Sequence, residues 1–145
     1  MPQTQRTAQW AERTTMNSKT IRVVMCEPGK RACTKEINTD LRSMQEIVGG
    51  FIELYYLTED VFLVCNDEHK INGTQMNRTI TNEEGNVIEF ICGLFFIAKD
   101  DPDGEGEICS LSWEEAEHYR KKYLFPEDIF LVGSQIMAFP YYPEA

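Results

Sequence analysis

Apolar and β-branched residues fall in short blocks at 20–26, 51–57, 61–65 and 87–98, each closed by polar or glycine-rich residues. Blocks that short and that rich in Val, Ile, Phe and Tyr predict strands. Glu27-Pro28-Gly29-Lys30 predicts a turn after the first, with an antiparallel return over 32–37. The spacing changes at 41–48, where Leu41, Met44, Ile47 and Val48 recur with helical period. This predicts a short amphipathic helix capped by Asn38 or Thr39 and ended by Gly49-Gly50. Residues 58–60 read as a hairpin turn between the strands at 51–57 and 61–65. The block 87–98 reads as one long strand, with Gly93 marking a bulge or a close backbone contact. Ser112-Trp113-Glu114-Glu115 is a capping box opening a second helix over 113–124, which Pro126 stops. Residues 129–132 add an edge strand.

These elements predict an α+β fold: a single compact domain, mainly antiparallel sheet with two helices. The domain spans 20–132, between a flexible N-terminal tail (1–19, with Trp10 as its one anchor and a helical turn at 8–12) and an aromatic C-terminal tail (133–145).

The one extended polar stretch follows the most apolar strand. From Cys65 to Arg78 the chain reads Cys-Asn-Asp-Glu-His-Lys-Ile-Asn-Gly-Thr-Gln-Met-Asn-Arg. Asn66 and Asn77 offer amides, and Lys70 and Arg78 offer cationic donors, on one excursion from a buried strand. Lys30 joins them if the two loops face the same end of the sheet, and Tyr55 or Tyr56, whichever faces the site, supplies a ring to stack on a base. Lys30, Tyr55, Asn66, Lys70, Asn77 and Arg78 are therefore the candidate ligand-binding residues, suited to an anionic small molecule.

Charge sharpens that picture. The chain carries 24 acids against 14 bases, a net −10. So acidic a chain is a poor direct binder of nucleic acid. It can instead offer carboxylates to a basic partner, with 100–117 as the richest stretch. No apolar run reaches the ~20 residues of a membrane span. The polar first 20 residues and five reduced cysteines point to the cytoplasm.

Other chemistry finds little support. Asp101-Pro-Asp-Gly-Glu-Gly-Glu-Ile108 has acids at alternate positions, as a calcium loop does, but Ser112 stands where the bidentate Glu belongs. His69 and His118 are the two histidines. No catalytic motif and no Cys/His spacing for zinc is present, so neither catalytic residue, metal nor cofactor is assigned, and the chain reads as a non-enzyme.

Several of these pieces, in order, resemble a known family, catalogued as domain of unknown function 3846. They are Glu27-Pro28-Gly29-Lys30, Met44-Gln45, Val48-Gly49-Gly50, Ile52-Glu53, Cys65-Asn66-Asp67-Glu68, Lys70, Gly73, Asn77-Arg78, Ile91-Cys92-Gly93 and Ser110-Leu111-Ser112. The resemblance covers about 21–130, with His69 where the family pattern often carries Gly. It implies an accessory protein of Gram-positive bacteria, their phages or mobile elements, acting in the host cytoplasm. The expected function is binding of an anionic small ligand, such as a nucleotide signal sequestered from host defence. The alternative is an acidic, DNA-mimicking inhibitor of a host defence protein. Homo-oligomerisation is left open by the edge strands and the aromatic C-terminus.

Overall fold

A computed structural model describes residues 19–71, 73–103 and 107–143. The expected helical turn at 8–12 lies outside the described residues, as does part of the acidic loop at 104–106.

The chain runs β1 (Thr20–Cys26), β2 (Cys33–Asn38), α1 (Leu41–Val48), β3 (Ile52–Tyr56), β4 (Val61–Asn66), β5 (Met76–Thr81) and β6 (Val87–Cys92). It continues with β7 (Phe95–Asp100), β8 (Ile108–Cys109), α2 (Trp113–Lys122), β9 (Glu127–Val132) and β10 (Gln135–Pro140). Every strand pairing is antiparallel. The main sheet has the order β2-β1-β7-β4-β3, with β8 beside the far half of β7. Two hairpins, β5–β6 and β9–β10, stand off it. The α+β architecture read from the sequence is the one observed.

Both faces of the main sheet are covered, which is why β4 is buried at every position. On one face Val23, Phe62, Val64 and Phe96 meet Met44 and Val48 of α1. On the other, Val24, Leu63, Phe95 and Ile97 meet Ala116 and Tyr119 from α2 and Tyr123 just after it, with Ile80 and Ile91 from the β5–β6 hairpin.

Besides β5 and β8, strands the sequence does not predict, three details differ from expectation. Asp40 caps α1, its carboxylate accepting the Ser43 N–H at 2.8 Å. Asn38 comes too early to reach that amide and accepts the Asp40 N–H instead, while the Thr39 hydroxyl accepts the Lys19 N–H. Second, the block 87–98 is two strands. Gly93 takes φ +77° with Thr74 Oγ1 3.2 Å from where a Cβ would stand. That turn sends β6 to the small hairpin and β7 to the centre of the main sheet. Third, residues 133–145, expected as a tail, contain β10, which pairs with β9. Among the described residues no helix is long and apolar enough to cross a membrane.

Candidate functional site

The polar stretch that begins at Cys65 re-enters the fold as β5. Register slips between Met76 and Arg78 opposite β6, leaving Asn77 without a cross-strand partner. Such a bulge re-aims a side chain, and here Asn77 and Arg78 are both fully buried.

A guanidinium has five N–H donors, and Arg78 has five acceptors. Nε donates to the Tyr123 carbonyl (3.0 Å), Nη1 to the Glu27 carbonyl (3.1 Å) and the Asn77 side-chain oxygen, and Nη2 to the Lys30 (2.7 Å) and Leu124 (3.4 Å) carbonyls. Glu27 and Lys30 belong to the turn after β1; Tyr123 and Leu124 follow the last residue of α2. The cation thus lies among carbonyl dipoles at the negative end of a helix. Burial pulls its pKa below the ordinary value, yet a guanidinium stays charged. Asn77 completes the network, its amide donating to the Cys26 and Gly93 carbonyls, each at 2.9 Å. Together the pair fastens the β1–β2 turn, the end of α2 and the β6–β7 junction.

Asn66 does similar work elsewhere. Its amide donates to the Val48 carbonyl at 3.2 Å, and its oxygen accepts the Glu68 N–H at 2.8 Å. That closes the C-terminus of α1 over Gly49, which has φ +83°. A Cβ on Gly50 would stand 2.8 Å from Asn66 Nδ2, so the residue there has to be small. Lys30 enters the Arg78 network through its carbonyl; its exposed ammonium pairs with Glu27 at 2.7 Å.

Tyr55, on the edge strand β3, packs against the cluster that includes Tyr123, and Lys70 lies beside the β5–β6 hairpin. Lys70 pairs with Glu89 and sits 4.5 Å from the Phe90 ring centre. Nearby, Glu53 and Cys65 are cross-strand partners. Their ligand atoms and one from His69 lie within 4.8 Å of one another. This juxtaposition is invisible in the sequence apart from the Cys65–His69 spacing. Burial raises the Cys65 thiol to about 12, and burial followed by the charges of Asp67 and Glu89 raises the Glu53 carboxyl. Burial, then Lys70, lowers the His69 imidazole. His69 Nδ1 accepts the Cys92 N–H at 3.0 Å, which places the neutral ring's proton on Nε2. With one nitrogen committed to an amide and the other protonated, the ring is poorly set to ligate a metal. Glu53, Asp67 and Glu89 act on this cluster against the one cation Lys70, a balance that does not favour an anion.

The six expected ligand residues therefore do not converge. Asn77, Arg78 and the Lys30 main chain share one internal network, Asn66 closes α1, and Tyr55 and Lys70 border the Glu53–Cys65–His69 cluster. Two concavities lie beside them: a pocket of about 260 Å³ lined by Arg78, Thr79, Thr81, Lys121, Lys122 and Glu127 among others, and one of about 190 Å³ at Asn66.

Negative charge collects at the opposite end of α2. The Asp100 N–H donates to the Asp60 carbonyl at 2.8 Å, setting the β3–β4 turn (Glu59, Asp60) beside the loop bearing Asp101 and Asp103. Glu115, in the first turn of α2, pairs with Lys99 at 2.9 Å in the same region.

No solved structure and no curated protein matches this chain. A family model described as domain of unknown function (DUF3846) matches residues 21–124, most of the sequence and every element of the Arg78 network, and the chain belongs to that family.

Proposed function

We propose that the protein acts by binding a basic protein surface through its acidic end, without catalysing a reaction. The observation that supports this is the fate of its best anion-binding group. All five donors of Arg78 are used internally, and the Lys30 and Lys70 ammonium groups are paired with Glu27 and Glu89. The charge left to attract a partner is then negative, and the turn bearing Glu59 and Asp60 is hydrogen-bonded to Asp100, at the start of the loop that carries Asp101 and Asp103. On a mobile element the partner would be a host defence protein, with carboxylates standing where DNA phosphates otherwise would.

The test is capture of DNA-binding proteins from host lysate on the immobilised protein. Capture should weaken steeply with salt and be lost when Asp60, Asp101 and Asp103 are changed to Lys. Capture indifferent to both changes contradicts the proposal.

A second reading keeps the anionic small ligand but moves it to the pocket beside the end of α2, where Lys121, Lys122 and Thr81 line the wall. A thermal-shift panel of nucleotides and cyclic dinucleotides tests it. A ligand at 100 times its Kd adds roughly 2.7 kcal/mol, and Lys121→Ala with Lys122→Ala should remove the shift. No shift with any anion rejects this reading.

A further inference from the structure

The β9–β10 hairpin breaks the usual rule for a two-stranded antiparallel ribbon, in which one face packs and the other presents polar groups to water. Cross-strand pairing puts Asp128, Phe130 and Val132 on one face with Phe139, Met137 and Gln135. All six are exposed: Phe130 is 53%, Val132 55%, Met137 42% and Phe139 52% accessible. The opposite face carries Ile129, Ile136 and Ala138, which are half-buried, and Leu131 near the turn, which is 54% exposed. The hairpin is held in place, since Glu127 accepts both the Thr79 N–H (2.7 Å) and its hydroxyl (2.8 Å), and β9 lies alongside β5. An attached hairpin is thus apolar on the face it turns outward. The hairpin also lies beyond the residues that match the family.

We propose that this face is where a second copy of the same chain docks, hairpin on hairpin about a two-fold axis. Area supports it. Four large side chains about half exposed, where a whole aromatic presents 150–250 Å², leave on the order of 500 Å² per copy with the margins included. A symmetric contact then covers roughly 1,000 Å², the lower bound for a specific interface. The pattern is also self-complementary. Laying the tip of one hairpin over the base of the other stacks the Phe130–Met137 pairs at the axis. The same rotation lays β9 over β9, so Asp128 of one copy falls beside Val132 of the other at the margin of the contact, where its carboxylate stays in water. Asp128 is the one charged residue on this face. Two chains of net charge −10 repel at long range, so this contact strengthens as salt screens them. The acidic-end contact proposed above has the opposite salt dependence, so the two are separable.

The test is sedimentation equilibrium of the full chain at low and high salt. For a contact at the small end of specific interfaces the expected Kd is on the order of 1 μM. The mass should rise from monomer to dimer with concentration, more readily at high salt, and Met137→Glu should weaken the association at least tenfold with an unchanged circular dichroism spectrum. In a Cys33→Ser background, Met137→Cys should join two copies through a short bismaleimide, a signal gained rather than lost. A chain that stays monomeric at roughly 100 μM, about a hundred times that Kd, overturns the proposal and leaves the face to a different protein. A dimer unaffected by Met137→Glu and not joined through Met137→Cys overturns it as well.

Discussion

Replacing Arg78 by Ala separates an internal fastener from a binding group. The substitution withdraws donors from the carbonyls of Glu27, Lys30, Tyr123 and Leu124 and from the Asn77 side-chain oxygen. Leu124 keeps the Ala32 N–H at 2.9 Å and Glu27 keeps the Lys30 N–H at 3.1 Å, so three acceptors are left without a partner. At ~1 kcal/mol for each hydrogen bond, the loss is about 3 kcal/mol, a large share of the 5–15 kcal/mol typical of a domain. For a chain of this size that lowers Tm by about 9–12 °C. Arg78→Lys retains the charge but supplies three donors on a shorter reach, so about half of the loss remains. Urea titration followed by far-ultraviolet circular dichroism, beside thermal melts, measures both. An exposed ligand-binding arginine could be removed with little change in stability. An Arg78→Ala protein melting within about 2 °C of the parent would refute the reasoning.

Three further outcomes follow from particular contacts. Gly50→Ala should cost about 1–2 kcal/mol, since the new methyl meets Asn66 Nδ2 at 2.8 Å. In an Asn66→Ala background the same change should cost much less, a coupling that a double-mutant cycle reads directly. His69 has its pKa lowered from 6.5 by burial and by Lys70. The unfolded chain therefore binds the proton more readily, and the stability this group contributes is present above pH 6.5 and lost as pH falls toward the folded value. Urea midpoints should fall from pH 7 to pH 5 and do so less in His69→Gln; equal pH dependence in both counts against the assignment. Among the thiols, Cys33 is exposed while Cys26 and Cys65 are buried and pushed up to about 12. Ellman's reagent should modify Cys33 first and reach Cys26 and Cys65 on unfolding. Rapid modification of either buried thiol in the native protein would contradict their placement.

How much of this was legible in the sequence varies with the physics of each element. β1 and the Ser112–Glu115 capping box follow from local pattern and local chemistry, and the structure has them where the sequence puts them. α1 also follows from its period, but its cap does not, because Asn38, Thr39 and Asp40 all suit the role and only the path out of β2 selects among them. β5 is hidden for a deeper reason. Asn77, Arg78 and Thr79 read as solvent- or ligand-facing groups, whereas they are buried against main-chain carbonyls and Glu127. A donor aimed at a carbonyl and a donor aimed at a ligand look alike in a sequence. Gly93 signalled a disturbance within 87–98; that the strand there divides between two sheets is set by long-range pairing. The β10 strand had a local sign, Gly133-Ser134 between two β-rich runs, the form of a two-residue hairpin turn. The Glu53–Cys65–His69 cluster depends on the register of β3 with β4, which no local pattern reveals.

The central claim is that the Asn77–Arg78 pair holds the protein together from within and does not serve a ligand. Nitrogen-15 NMR of the Arg78 guanidinium tests it most directly. The account predicts separate, slowly exchanging Nε–H and Nη–H resonances at neutral pH, unchanged by millimolar phosphate or nucleotide. A single, rapidly exchanging guanidinium signal that shifts as an anion is titrated would contradict it.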